Sequence, residues 1–410
     1  MGIRGDNLAK KVLFMVSTLT GGGAERTVSN LSQYFPNDYE LDVLVNCKTE
    51  NDYPFKGNII TLGMDYRVNK STWYQIRAFV KRIIKLREIR KHNHYEAVLS
   101  LIDSSSVANI LTRKYGGKTI VSVRCVMSTN DTFQYKYIVN PLVKAMYNKA
   151  DKVVALSKGV EDDLREHFAI KPELLTTIYN GYDINRAVEG ATKKENDVFT
   201  FISMGRLETQ KGQWHLIRAF NELAKRKNNV RLVILGQGSQ KEYYEELIAG
   251  YHLEGKVILK GFVKNTSEEL QNADCFVFPS LFEGFGNALI EGLMAGLPVI
   301  TSDFRYGARE ILSDSLDIHG EIKEGILKAD YGLITPVCSY NKPGCEGPLE
   351  REEECLLAAL EMIMVDESLR DNYKKMAREC VKKYDMNKTV SQWIKYIEEV
   401  ENGTKKCYKG

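Results

Sequence analysis

The sequence predicts an α/β chain folded as two doubly wound parallel-sheet domains, and three observations carry that expectation. Short continuous apolar runs alternate with helical stretches from residue 12 onward, the pattern of parallel strands covered on both faces. The pattern breaks near Asn180-Gly181-Tyr182-Asp183, crosses a polar segment at 189–197, and restarts at Val198. The 410 residues suit two or three domains of roughly 100–200 residues each.

In the first half, runs at 12–16, 41–45, 97–101, 119–123 and 152–156 read as strands. Helical stretches lie between them at 24–34, 72–91, 138–149 and 158–168. The second half opens with a strand at 198–203, a glycine-containing loop and a helix at 213–226. In that helix Leu216, Ile217, Phe220, Leu223 and Ala224 recur at helical spacing. Further strands are expected at 231–235, 257–259, 275–278 and 298–301. The region 349–400 reads as helical, with Trp393, Ile394, Tyr396 and Ile397 clustered near its end. These elements suggest domains at 1–190 and 191–385, with a helix at about 386–402 packing back on the first. The stretch 336–348, with Cys338, Pro343, Gly344, Cys345, Gly347 and Pro348, is expected as a surface loop.

Composition is that of a globular chain, 43% hydrophobic and 27% charged. A membrane-spanning helix needs about 20 apolar residues in a row, and no segment supplies them. The run at 12–16 is also shorter than the roughly 7–15 apolar residues of a signal peptide. Eight cysteines are scattered with no C-x-x-C pair. Reduced thiols in a cytoplasmic setting and no metal site are expected. Residues 1–190 hold 27 Lys+Arg against 20 Asp+Glu, and the remainder 30 against 34. A basic first half suits an anionic partner such as lipid, nucleic acid or phosphate.

Ligands of doubly wound sheets bind beyond the carboxyl ends of the strands, so the loops there are the candidates. In Gly21-Gly22-Gly23-Ala24-Glu25-Arg26, Gly22 and Gly23 let backbone N–H groups approach an anion at a helix start. In the loop 204–212, Gly205 precedes two cations, Arg206 and Lys211, suited to a diphosphate. A third loop, Gly236-Gln237-Gly238-Ser239, is weaker. Lys241 stands where a dinucleotide fingerprint needs its third glycine, and no Walker sequence occurs. Both facts count against a dehydrogenase or a P-loop ATPase. The most specific segment is 278–298, with Glu283 in a glycine-rich turn and Glu291 inside the helix that follows. Gly284, Phe285, Gly286 and Asn287 lie between them, and N–H groups near the last three would face an anion. Ala288, Gly292 and Ala295 keep one helix face small, and Gly296 and Pro298 end the helix.

On these residues the chain resembles the retaining GT-B glycosyltransferases of family four, which include bacterial capsule, O-antigen and exopolysaccharide transferases. The resemblance covers nearly the whole chain: the Gly22-Gly23-Ala24-Glu25 turn, the Arg206/Lys211 pair, Gly236-x-Gly238, Gly261-Phe262-Val263, and the two glutamates followed by Gly296-Leu297-Pro298-Val299-Ile300. It implies two Rossmann-like domains facing a cleft. It implies transfer of a sugar from a nucleotide sugar, expected to be UDP-linked, to a lipid-linked or other saccharide acceptor in cell-surface polysaccharide synthesis. By the same resemblance Arg206 and Lys211 hold the donor diphosphate and Glu291 accepts from the ribose hydroxyls. Glu283 lies by the donor sugar, the backbone at Phe285, Gly286 and Asn287 touches phosphate or sugar, and Phe262 and Val263 lie near the base. Neither a metal nor another cofactor is implied, because Arg206 and Lys211 supply fixed charge against the departing diphosphate. Arg124 follows the strand at 119–123 where many members carry a His, and is expected to line the site. The expected catalytic set is thus Glu283, Arg206, Lys211 and Arg124. Retention without an evident nucleophile fits front-face displacement, with Glu283 as a covalent nucleophile the alternative. Two other readings compete, a non-catalytic sugar-nucleotide-binding protein and a GT-B epimerase or phosphorylase.

The helical stretch 73–92 carries Arg77, Lys81, Arg82, Lys85, Arg87, Arg90 and Lys91, opposed only by Glu88. Trp73, Ile76, Phe79, Val80, Ile83, Ile84 and Leu86 supply its apolar content. A basic amphipathic helix of this kind suits an anionic membrane surface. Peripheral attachment to the inner face of the cell membrane is expected, and no nucleic-acid motif accompanies the charge.

Overall fold

The structure, a computed structural model, describes residues 9–64, 71–128, 132–184 and 198–405. The chain forms two compact units. One contains the chain up to Tyr182 together with the segment from Asp385, and the other runs from Asp183 to Tyr384. The polar segment 189–197 lies outside the described residues.

The first unit contains, in order, β1 (Lys10–Met15), α1 (Gly23–Tyr34), β2 (Tyr39–Val45), β3 (Asn58–Thr61), α2 (Thr72–Asn93), β4 (Ala97–Ser100) and α3 (Asp103–Leu111). There follow β5 (Lys118–Val123), α4 (Asn140–Met146), β6 (Lys152–Ala155), α5 (Lys158–Phe168) and β7 (Leu175–Thr177). The strand order is β3-β2-β1-β4-β5-β6-β7, with every pair parallel. Successive residues of β1 feed two cores, Val12 and Phe14 on one face, Leu13 and Met15 on the other. Burial on both faces is why these strands read as unbroken apolar runs. The edge strands β3 and β7 are short and only partly buried, and they left no such signal. A π-helical turn, Tyr135–Val139, precedes α4, so the expected helix at 138–149 is not one regular element.

α2 is capped by Ser71, whose hydroxyl accepts from the Tyr74 N–H, and it ends at His94 in a left-handed conformation. Not all of its basic residues face outward. Arg82 and Arg90 are buried. Arg82 donates to Ser104 Oγ at 2.9 Å and Asn46 Oδ1 at 2.8 Å, and Arg90 donates to the Gly116 carbonyl at 3.0 Å. The acceptors come from distant loops. Trp73, Ile76, Arg77, Val80, Ile84 and Arg87 are left exposed.

The second unit repeats the plan. Its elements are β8 (Phe199–Met204), α6 (Gln213–Arg226), β9 (Val230–Leu235), α7 (Lys241–Gly250), β10 (Val257–Gly261), α8 (Ser267–Gln271), β11 (Cys275–Phe278) and α9 (Asn287–Met294). Then come β12 (Val299–Ser302), α10 (Ala308–Leu312), β13 (Leu327–Lys328), β14 (Leu333–Thr335), α11 (Arg351–Val365) and α12 (Glu367–Val381). The order is β10-β9-β8-β11-β12-β14-β13, parallel except for β13 against β14. In each sheet the winding reverses beside the first strand, between β1 and β4 and between β8 and β11. Such switch points open a crevice at the strand carboxyl ends.

A last helix, α13 (Met386–Lys405), belongs to the first unit. Met386, Val390, Trp393, Tyr396 and Ile397 join the β1 core. The stretch 336–348 is the expected surface loop, without helix or strand and exposed at 340–342 and 346–348, and buried side chains hold it from beneath. Trp214 Nε1 donates to the Asn341 carbonyl at 2.9 Å, His215 Nε2 bonds the Ser339 carbonyl at 2.9 Å, and Arg218 donates to the Gly344 and Pro348 carbonyls at 2.8 Å each.

Candidate active site

Because β8, β9, β10 and β11 are parallel neighbours, the loops that follow them emerge at one edge of the second sheet. That edge carries Gly205 to Gly212 after β8, Gly236 after β9, Phe262 after β10, and Pro279 to Gly286 after β11. The loops after β8 and β11 flank the switch point.

A 3₁₀ turn, Thr209–Lys211, closes the β8 loop and delivers Lys211 towards the β11 loop. Lys211 Nζ bonds Glu283 Oε1, although 72 residues separate them, and it lies 5.2 Å from the centre of the Phe278 ring. The two side chains are only 14% and 11% exposed, so the pair is shielded from water rather than solvated. Ser280 Oγ donates to the same Glu283 oxygen at 2.9 Å. The loops are laced together by backbone: the Leu281 N–H donates to the Gln210 carbonyl at 2.8 Å, and Gln210 Nε2 to the Phe282 carbonyl at 2.9 Å. Gly212 has φ 58° and abuts Pro279, where a Cβ would stand 2.4 Å from the carbonyl oxygen. Only glycine permits both the backbone conformation and the approach.

Arg206 lies exposed in the same loop, within electrostatic reach of Glu208. Glu208 itself is tied to the third loop. The Ser239 hydroxyl and N–H donate to its carboxylate at 2.7 Å and 3.1 Å, and these bonds hold its pKa below the ordinary carboxylate value. Gly236 presses on the β8 loop so closely that a Cβ would lie 1.8 Å from the Gly205 carbonyl oxygen. The two glycines of Gly236-x-Gly238 therefore have a packing reason to be there, which the sequence pattern does not reveal.

After the β11 loop, Gly286 caps α9 with φ 101°, and Glu291 lies half-buried about one turn into the helix. Gly292 faces the Phe276 ring at contact too close for a side chain, which seats α9 on β11. The Phe285 side chain is buried edge-on against Tyr384, with centroids 5.6 Å apart, while Phe262 is 73% exposed and Val263 half-buried. Ser280, Gln210 and Glu208 are the supporting residues that sequence reading passed over. Ser280 had a signal, lying three residues before Glu283 at the end of an apolar strand.

Gly22, Gly23 and Arg124 belong to the first unit. Gly22 precedes α1, and a Cβ there would lie 2.0 Å from Glu25 Oε2. The Glu25 carboxylate thus rests at the helix start, and burial raises its pKa above the ordinary value. Arg124, at the end of β5, bonds Asn180 Oδ1 and donates to Thr27 Oγ1 at 3.1 Å, joining the β5 loop to α1. Burial draws its guanidinium down to about 10, still charged at neutral pH. Among the described residues, no three His, Cys, Asp or Glu side chains gather in a way that could hold a metal ion. Nor is any described helix long and apolar enough to cross a membrane.

Two family models match consecutive parts of the chain: Glycosyltransferase Family 4 over residues 21–186 and Glycosyl transferases group 1 over residues 185–324. An uncharacterized glycosyltransferase of Methanocaldococcus jannaschii is 31% identical, across 88% of this chain and 88% of its own. The Campylobacter jejuni N-acetylgalactosamine-N,N'-diacetylbacillosaminyl-diphospho-undecaprenol 4-alpha-N-acetylgalactosaminyltransferase is 28% identical across 95% of this chain and 99% of its own. Among solved structures, Anabaena HepE in complex with UDP shares the fold with a TM-score of 0.69 at 19% identity, covering 95% of this chain and 100% of HepE.

Proposed function

The chain belongs to the family 4 glycosyltransferases, and from that premise we propose that it moves a sugar, with retention, from a UDP-linked donor to a lipid-linked saccharide in the assembly of a cell-surface polysaccharide. The observation that carries the reading is the meeting of Lys211 and Glu283 at the switch point of the second sheet. The two charges satisfy each other. A donor diphosphate takes over the ammonium, with Arg206 gripping it from the exposed side, and Glu283 is released towards the donor sugar. Glu291 receives the ribose hydroxyls, the N–H groups at Phe285, Gly286 and Asn287 meet phosphate or sugar, and the base lies by Phe262 and Val263. Gly205 and Gly236 keep the two loops close enough for this. Gly22 and Gly23 are proposed as donor contacts, and Arg124 as a residue lining the site.

Fixed cations and a helix start then stabilise the charge that develops as the nucleotide leaves, and no metal or other cofactor takes part. The acceptor oxygen bonds to the anomeric carbon on the face from which the diphosphate oxygen departs, and that oxygen takes the acceptor proton. Support for the acceptor comes from the diphospho-undecaprenol in the name of the Campylobacter relative, and for the donor from the UDP bound to HepE. We further place the enzyme on the inner face of the membrane with the outer face of α2 against the lipid. There Trp73 and Ile84 are 81% and 62% exposed, beside Arg77 and Lys81.

The test is a panel of UDP- and GDP-sugars with polyprenyl-diphosphate-linked acceptors, the product examined by mass spectrometry and by NMR at the new anomeric centre. An α-linked product from an α-linked UDP-sugar is expected. Donor turnover with no transfer to any acceptor overturns the reading.

A further inference from the structure

A second basic feature lies at the other edge of the first sheet. α2 enters β4 through His94 and Tyr95, and α3 enters β5 through residues 112–117, so both connections sit at the amino ends of parallel strands. An open pocket of about 500 Å³ lies there, lined by Lys91, His94, Tyr95, Lys114, Tyr115 and the Gly116-Gly117 turn, with Arg90 beneath. Three cations surround the Tyr115 ring: Arg87 Cζ, Lys91 Nζ and Lys114 Nζ lie 4.8, 5.2 and 5.3 Å from its centre. Arg90 is 1% exposed, and its Nε is buried without a hydrogen-bond partner. Among the described residues no carboxylate lines the pocket.

The ordinary explanation of basic residues here is compensation of helix carboxyl ends. The ends of α2 and α3 together carry about one unit of negative charge, roughly half a unit each. Arg87, Arg90, Lys91 and Lys114 bring four positive charges, and Asp151 lies within electrostatic reach of Arg90, so about two remain. Like charges this close repel unless an anion lies among them. The turn that shapes the rim is built for close approach. Gly116 and Gly117 have φ 111° and 71°, and a Cβ on Gly117 would lie 2.9 Å from the Tyr95 carbonyl oxygen.

We propose that this pocket binds a phosphate group, at a site separate from the donor loops, with Lys91 and Lys114 as its contacts and Arg90 as fixed charge in its floor. The phosphate comes either from a membrane lipid headgroup or from a free phosphate or diphosphate. Arg87 and Lys91 continue the exposed face that begins with Trp73, Ile76, Val80 and Ile84, at spacings of three and four residues. A bilayer under that face would bring headgroups to the pocket.

The test uses the full chain, Lys91→Ala/Lys114→Ala, Lys91→Arg/Lys114→Arg, and a charge-matched control, Lys136→Ala/Lys144→Ala. Thermal melting confirms that each is folded. One arm titrates inorganic pyrophosphate calorimetrically in saturating UDP. The other floats the proteins with phosphatidylglycerol–phosphatidylcholine vesicles. The pocket double-alanine variant should bind about tenfold or more weakly, while the arginine pair and the control stay within about twofold of wild type. Loss confined to the pyrophosphate arm assigns the site to free phosphate, and loss confined to the vesicle arm assigns it to a headgroup. Equal binding by the double-alanine variant and the control in both arms overturns the proposal.

Discussion

At the residue scale, Lys211 and Arg206 differ in burial, and that difference makes the donor reading testable. Losing either charge-assisted phosphate contact should cost about 1.5–3 kcal/mol, or roughly 10- to 150-fold in kcat/KM. Lys211→Ala should also lower the melting temperature, because it strips a shielded carboxylate of its cation, whereas Arg206→Ala at an exposed position should not. Wild-type kcat/KM in both variants, measured with the best donor of the panel, would remove them from the site. The two glutamates should separate as well. Glu283→Gln should act mainly on kcat, since its proposed place is by the sugar, and Glu291→Gln mainly on UDP affinity by calorimetry. The reverse pattern would exchange their roles. Glu283 and Lys211 were legible because both sit in short, chemically unusual loops directly after apolar strands. Their direct contact was not legible, because it depends on β8 and β11 being neighbours in the sheet and on Gly212 closing against Pro279.

At the element scale, sequence patterns located strands and helices well but did not say which charges stay wet. Arg82 and Arg90 in α2, and His215 and Arg218 in α6, sit among residues that read as helix faces, yet each is buried on acceptors from remote segments. No local pattern encodes a carbonyl supplied by Gly116 or Pro348. The strands β7, β13 and β14, of two or three residues, are too brief to show a period, and β3, as long as β4 or β11, escaped because it is only partly buried. For α2 the outer face is therefore defined by exposure. Arg77→Glu/Lys81→Glu/Ile84→Glu should abolish flotation with anionic vesicles, since each basic residue near such a surface contributes about 1 kcal/mol. Transfer to a short water-soluble acceptor should change little, and flotation equal to wild type would leave the stripe as solvated surface. The α6–α11 contact makes a pH prediction. Burial pushes the Glu353 carboxyl up, but hydrogen bonds from His215, the Glu350 N–H and Arg218 outweigh it and hold the carboxyl below its ordinary 4.5. A depressed native pKa contributes stability above the ordinary value and loses it as pH falls through the native one. Glu353→Gln should thus cost about 3–5 kcal/mol near neutrality, as breaking a buried ion pair does. The difference from wild type in chemical denaturation should narrow below pH 4.5. A difference independent of pH would mean that the carboxylate's charge is not what the cluster uses.

At the scale of the whole molecule, the chain crosses between its units twice, and the second crossing sets which parts fold together. The second unit carries its own core from β8 through α12, all within Asp183–Tyr384. The first unit is not complete at Tyr182, because α13 supplies Trp393, Tyr396 and Ile397 to the core around Val12 and Phe14. The junction is specific. The Met386 N–H donates to the Tyr182 carbonyl at 2.9 Å, and a Cβ on Gly181 would lie 2.7 Å from Met386 Sδ, so the helix start is fitted against the end of the first unit. Lys10 Nζ bonds Glu398 at 2.8 Å, and tethers the helix to β1 further along. Trp393 is 1% exposed, and truncating a buried Trp costs about 3–5 kcal/mol. That is a large part of the stability of a domain this size, typically about 5–15 kcal/mol in all. Trp393→Ala should therefore lower the transition of the first unit in scanning calorimetry while leaving that of the second in place. Ending the chain at Tyr384 should go further, abolishing the first transition and exposing the β1 core to a hydrophobic dye. The remaining transition should still respond to UDP, because Arg206, Lys211, Glu283 and Glu291 all lie in the second unit. If truncation lowers both transitions equally, the helix stabilises the molecule as a whole, and the division of the chain into two cores does not describe how it unfolds.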